Sequence, residues 1–498
     1  MNKHITFFVF IFCLMFSVPC HVNGQERIKY TLQDIIARAK SVSPAALRAE
    51  TQRQNSYWQY RFYKSNYNPQ LRLNGELPSY TQEVKAVEQN DGSYLNVPLK
   101  QSLVDVGLGL QQEIALTGGS ISVNTSASRF DNYLTDSPEG QTQWRGVPVN
   151  IQLYQPIFAF NQLKWDKKIE PLRYEESKKS YVEEMEQISQ RATQLFFNYL
   201  VAQVGYDIAM QNKTNTEAIY KIEKGRYNIG TTTEDQLLQV ELQVLQADQD
   251  LTSAQLSLES SALALRSYIG LNENTQFDLV LPDEIPDFVV DVDKAISLAF
   301  ENSSDAVNFK IQRLEADAEV ARAKGQRFNL DLNARYGYNN AAMSWGGIYE
   351  NPDQQAVVSL GVSVPVLDWG RNKARMGRAK ANKELVNYTI DQEVINFEQE
   401  VFTRVKNFQQ LRSRIMISEK ADEVAAKRYE ISRQRYLSGK VDITNLNIAQ
   451  QEKDSNRRSY IQSLQEYWQA YYELRQLTLY DFQNEKLLYN QEIELKAD

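Results

Sequence analysis

Histidine and cysteine are almost missing from this 498-residue chain, which holds two of each, and all four (His4, Cys13, Cys20, His21) fall within the first 21 residues. That leading stretch reads as a secretory signal peptide: Lys3, an apolar run from Ile5 to Val18, then Val22-Asn23-Gly24 before Gln25. Removal of residues 1–24 leaves a mature chain with neither residue type. Thiol nucleophiles, imidazole bases, disulfides and the usual zinc ligand sets are excluded together. No G-x-S-x-G elbow and no phosphate-cradling glycine loop occurs either. We therefore expect a protein that is not an enzyme and that has no cofactor and no metal. Lipidation at Cys20 needs a small residue just before it, where Ser17-Val18-Pro19 stands.

An excess of positive charge is also lacking. Without Lys3 the chain has 54 basic and 63 acidic residues, so nucleic acid is not expected as a partner. No apolar run after Val18 reaches the roughly 18 to 20 residues of a membrane helix. Any membrane span must then be a closed β-barrel.

What the sequence does contain is a repeat. Asn150-Ile151-Gln152-Leu153-Tyr154-Gln155-Pro156-Ile157-Phe158 returns in character as Ser359-Leu360-Gly361-Val362-Ser363-Val364-Pro365-Val366-Leu367, and Arg226-Tyr227-Asn228-Ile229-Gly230 as Arg435-Tyr436-Leu437-Ser438-Gly439. Both pairs share an offset of 209 residues, the mark of a duplicated structural unit. In each copy a proline-ended strand leads through about 70 residues to an Arg-Tyr-x-x-Gly turn. Arg378 to Ser438 contains neither glycine nor proline, which predicts one long helix of roughly 100 Å. Its apolar seam runs Val394, Phe397, Val401, Phe408, Leu411, Ile415, with Arg404 as an interruption. A returning helix follows Gly439, with Tyr460, Leu464, Tyr467, Tyr471 and Leu474 stepping by four and three. Each half is thus expected to be a helical hairpin with Gly230 or Gly439 at its tip, because the reversal favours positive φ. Thr231-x-x-Glu234 reads as a capping box and Asp442 as an N-cap.

Four segments alternate as strands: Ile121–Ser128, Val147–Leu153, Leu330–Asn339 and Ala356–Val364. The pattern suits tilted transmembrane strands with a watery interior. Taken alone it suits a half-buried soluble hairpin equally well. Pro156 and Pro365 are expected to stop the ladders and open the long helices. Phe158, Phe160 and Trp369 resemble an interfacial girdle. Two hairpins make four strands, too few to close a barrel, so an oligomer is required.

These features together resemble the TolC-like outer-membrane efflux protein family over nearly the whole mature chain. Tyr30–Ala39 followed by Ser43-Pro44, and Asn68-Pro69-Gln70-Leu71-Arg72-Leu73, carry the likeness in the first half; Val292–Ala299 and Phe328–Leu332 repeat it in the second. The resemblance implies a mostly α fold with β: a duplicated strand pair plus long helical hairpin, assembled as a homotrimeric 12-stranded outer-membrane β-barrel continuous with a periplasmic α-helical barrel. It implies residues 25–275 and 293–479 as the two repeats, 276–292 as linker and 480–498 as a C-terminal tail. It further implies a passive exit duct for a tripartite efflux pump or type I secretion system, contacting outer-membrane lipid, a periplasmic adaptor (membrane fusion) protein and an inner-membrane RND, ABC or MFS transporter. Arg226, Tyr227, Gly230, Arg435, Tyr436 and Gly439 match the family's periplasmic tip, where adaptor docking and gating occur. Some members carry a gate arginine where this chain has Val441, and an acidic pair where Asn445 and Ile448 stand. Glu234, Asp235 and Asp442 are the remaining candidates for constriction charge. The first half has roughly 50 more residues than the second, around residues 78–130, with Leu99–Thr117 a candidate for extra β-structure. A periplasmic coiled-coil adaptor that never spans a membrane is the rival reading.

Overall fold

The computed structural model describes residues 28–134, 142–271, 277–282 and 284–489. The signal peptide, Cys20 and the end of the C-terminal tail lie outside the described residues. The chain divides into two compact units, one comprising the residues up to Leu47 with Gln187–Asp287 and Gln410–Tyr472, the other Arg48–Glu186, Phe288–Gln409 and Glu473 onward.

In the first unit, β1 (Ile28–Tyr30) leads into α1 (Leu32–Val42). Thr31 caps α1 through a reciprocal box with Asp34, and Leu32, Ile35, Ile36 and Ala39 form its buried stripe. The first hairpin's helices are α3 (Gln162–Asn228) and α4 (Glu234–Tyr268), of which the part of α3 beyond Glu186 belongs here. Arg38 Nε donates to the Ile269 carbonyl at 3.0 Å, serving an acceptor that the end of α4 leaves free. β6 (Phe277–Leu279) pairs in parallel with β1, and the Tyr199 hydroxyl donates to the Phe277 carbonyl at 2.8 Å.

The second unit is built around one antiparallel sheet of six strands, in the order β2-β3-β4-β5-β7-β8. These are β2 (Gln70–Glu88), β3 (Tyr94–Ile114), β4 (Gly119–Asn132), β5 (Thr142–Ile157), β7 (Asn329–Ala342) and β8 (Asp353–Ser363). The sheet therefore has six strands where four are expected from alternation. β3 overlaps Leu99–Thr117, the stretch expected as extra β-structure, whereas β2 lies outside the four alternating segments. Pro78 falls in β2 at a bulge between Glu76 and Ser79, a place where a missing N–H is tolerated. Gly107 and Gly109 fall on one face of β3, where a Cβ on Gly109 would lie 2.5 Å from Asn124 Oδ1, the movable end of that side chain. Trp144 meets Trp345 edge-to-face at 5.2 Å at one end of the sheet, and Phe158 meets Phe328 at 6.0 Å at the other.

The duplication is visible in the element boundaries. α2 (Pro44–Ser65) and α6 (Ser304–Gly325) each have 22 residues, and α1 and α5 (Val292–Asn302) each have 11; both pairs are offset by 260. α3 and α7 (Arg371–Leu437) each have 67 residues, and α4 and α8 (Ile443–Thr478) start 209 apart, as α3 and α7 do. The drop in offset from 260 to 209 leaves 51 extra residues in the first half, and the two surplus strands occupy that interval.

Three details differ from the sequence reading. Pro156 lies inside β5 opposite Asp331 and Pro365 just beyond β8; the long helices open six residues after each, at Gln162 and Arg371. Between strand and helix, Phe158 and Trp369 adopt φ of 62° and 54°, the left-handed region uncommon for bulky side chains, with largely exposed rings. The seam of α7 passes through Val405, fully buried, and not through position 404; Arg404 instead points out to Glu473 at 3.2 Å. Burial otherwise keeps to the expected seam at Phe397, Val401, Phe408, Leu411 and Ile415, so the change is confined to this one position.

Acidic groups pack inside the second unit. Glu183 accepts from the Ser304 backbone N–H at 2.7 Å and from its hydroxyl at 2.5 Å. Burial pushes the Glu183 carboxyl above its ordinary 4.5, against the lowering effect of the Ser304 bonds, with Asp305 and Glu176 pushing the same way as burial. A raised folded-state value means that the folded chain binds more protons than the unfolded one just above pH 4.5, so this group's contribution falls as pH rises through that window. We predict that Glu183→Gln flattens the fall of thermal stability as pH rises above 4.5. Melts with unchanged slope would refute the assignment.

Candidate functional site

The tips of the two hairpins lie in the first unit and are built alike. α3 ends in a turn at Gly230 (φ 75°), where Thr231 N–H donates to the Arg226 carbonyl at 2.9 Å; α7 ends at Gly439 (φ 72°), where Lys440 N–H donates to the Arg435 carbonyl at 2.8 Å. Both are left-handed helix ends that a side chain would strain. The returning helices start on oxygen caps. Asp442 accepts from the Asn445 N–H at 2.9 Å, as the sequence predicts. On α4 the cap is Thr233, accepting from Gln236 N–H, and not Thr231, whose hydroxyl turns back to donate to the Arg226 carbonyl at 3.0 Å. Thr231 sits too close to the glycine turn to reach the first turn of α4 and serves the outgoing helix instead.

Beneath these turns the four helices meet in one apolar cluster of Ile219, Val240, Tyr429, Tyr436, Ile443, Leu446 and Ala449. Val441 packs against it. The sequence motif is duplicated, but the two copies play different parts. Tyr436 is buried and donates its hydroxyl to Glu223 Oε1 at 2.6 Å. Arg226 pairs with Glu223 on its own helix at 3.2 Å and reaches across to the second hairpin's Leu437 carbonyl at 3.1 Å, with its guanidinium 5.5 Å from the Tyr436 ring centre. Tyr227 and Arg435, their counterparts, are exposed. Glu223 was not singled out by sequence reading; its one signal is its place three residues before Arg226 on the same helix face.

Burial, together with the bond to Glu223, raises the Tyr436 phenol well above its ordinary value. It remains a hydrogen-bond donor throughout the physiological range. Charge-assisted bonds to a carboxylate in a buried setting are about twice as strong as neutral ones. Arg226, Glu223 and Tyr436 thus form a latch between the outgoing helices of the two hairpins. Glu234 and Asp235 lie exposed in the first turn of α4 and Asp442 is exposed at the start of α8, each at a helix N-terminus that favours negative charge. No cluster of metal-ligating side chains occurs among the described residues. No helix among them is long and apolar enough to cross a membrane, which says nothing of a β-barrel.

A family model described as outer membrane efflux protein matches residues 117–271 and 295–478. The fold is shared with solved structures at low identity. A membrane protein from Pseudomonas aeruginosa aligns with TM-score 0.64 at 14% identity, covering 91% of this chain and 91% of its own. The outer membrane protein VceC from Vibrio cholerae aligns with TM-score 0.62 at 13% identity, covering 90% and 95%; the Campylobacter jejuni CmeC outer membrane channel aligns with TM-score 0.63 at 14%, covering 91% and 87%. No curated protein matches the chain significantly.

Proposed function

Since the chain belongs to the outer membrane efflux protein family, and is accordingly an outer-membrane efflux channel and not an enzyme, we propose that it is the homotrimeric exit duct of a tripartite efflux pump or type I secretion system. The observation that carries this reading is a sheet with one exposed apolar face in the same chain as two duplicated helical hairpins. A lipid-facing barrel and a periplasmic tunnel need those two parts. The repeats spanning 25–275 and 293–479 are its two structural halves. Its tips are engaged by a periplasmic adaptor, and through it by an inner-membrane RND, ABC or MFS transporter that supplies the energy, while the duct conducts passively. Exposed Tyr227 and Arg435 offer the adaptor surface. The latch of Arg226, Glu223 and Tyr436 holds the tip closed, and Glu234, Asp235 and Asp442 supply negative charge at the constriction. The twelve-strand count implied by the resemblance assumes four strands per chain, and the sheet has six among the described residues.

Membrane fractionation with chemical cross-linking in the native host tests the reading. A trimer in the outer membrane is the expected result. A soluble periplasmic monomer would overturn it in favour of a coiled-coil adaptor.

A further inference from the structure

The surplus strands β2 and β3 are built like the rest of the sheet. One row across all six strands reads Leu71, Leu110, Val123, Ile151, Tyr336 and Ala356, each opposite the next. The adjacent row reads Arg72, Gly109, Asn124, Asn150, Gly337 and Gln355. The first is apolar throughout, the second polar or glycine throughout. Side chains on the apolar face are exposed on the surplus strands as on the others: Leu73 is 73% exposed, Leu108 40% and Leu360 58%. A hairpin lying outside a membrane would have no reason to continue both faces of the wall in phase, because a slip of one residue turns every side chain to the opposite face.

The sheet also leaves two free edges, β2 and β8. Each of the five pairings from β2 to β8 is antiparallel, so the two edge strands run in opposite directions. Within lipid an open edge is not tolerated, since each unpaired backbone group there costs several kcal/mol. β2 of one copy can therefore meet β8 of the next in the same antiparallel sense as every other pair. Closed bacterial barrels have even strand numbers, which six per copy satisfies.

We propose that the 51-residue insertion is part of the membrane wall and that β2 is the subunit-docking edge, pairing with β8 of a second copy. A ring of three then closes on eighteen strands and not on twelve. The wall is half as long again in circumference, and the mouth is correspondingly wider. This inference rests on the trimeric reading above and goes beyond it in naming the seam.

Cysteine pairs in the full chain test it, with Cys13 and Cys20 changed to alanine. Arg72, Asn74 and Glu76 on β2 are each replaced by cysteine in combination with Ser359 or Gly361 on β8, all on the polar face, and Ser122 or Asn124 on β4 serves as the competing seam. Oxidised outer membranes should give covalent dimers and trimers from at least one β2/β8 pair and none from β4/β8. Bands from β4/β8, or a trimer seen with a lysine cross-linker that gives no β2/β8 band in any of the six pairs, would overturn the eighteen-strand wall while leaving the trimeric duct intact. A chain recovered from the membrane only as monomer would overturn the trimeric reading itself, and the seam with it.

Discussion

Changing Arg226 to alanine together with Glu223→Gln should open the tip, raising single-channel conductance of the reconstituted protein in planar bilayers. The double change removes the ion pair at 3.2 Å, the bond to the Leu437 carbonyl and the charge on the acceptor of the Tyr436 hydroxyl. Hydrogen bonds to charged groups contribute about 1.5–3 kcal/mol each. Loss of even one such increment shifts a closed-to-open equilibrium by roughly 10- to 100-fold. Tyr436→Phe, which deletes one bond and leaves the ring in its cluster, should give a smaller increase in the same direction. If conductance stays at the parent value while the tip variants melt earlier, the latch is structural and does not gate. The sign is informative because a destabilised but ungated channel lowers the number of conducting molecules, whereas a released latch raises the current carried by each.

The largest loss of stability is expected at Arg475, inside the second unit. Its guanidinium holds Glu186 at 2.8 Å and Asp481 at 2.6 Å, and both carboxylates are about 2% exposed. Arg475→Met would leave two buried carboxylates facing one another without their shared cation. Breaking a buried pair in this way costs about 3–5 kcal/mol. The triple variant, with Glu186→Gln and Asp481→Asn added, should recover a substantial part, since neutral side chains remove the uncompensated charge. Urea unfolding followed by circular dichroism measures both. A loss below about 1 kcal/mol for Arg475→Met would show that the site is open enough for water to stand in for the arginine. Asp481 lies in β9 (Tyr480–Asp481), which pairs with β10 (Lys486–Leu487), so the same cation ties the segment after α8 to α3.

Much of this architecture is legible from residues alone, and the reason is locality. The confinement of histidine and cysteine to the first 21 positions is visible in the sequence without any fold. Helix length, the stripe from Tyr460 to Leu474, the glycine turns and the Asp442 cap follow from periods and propensities acting within one or two turns of chain. What tertiary structure decided is where partners come from. β2 looks weak in isolation because of Pro78, yet a bulge in its ladder with β3 accommodates the proline. Arg226-Tyr227 and Arg435-Tyr436 are twins in sequence, but only the fold buries Tyr436 and brings Glu223, 213 residues away in the chain, to its hydroxyl. Val405 takes the seam position beside Arg404, whose charged side chain turns out to Glu473 instead. Backbone periodicity is a property of a segment, whereas the burial of one twin and the exposure of the other depend on which distant surface arrives opposite it.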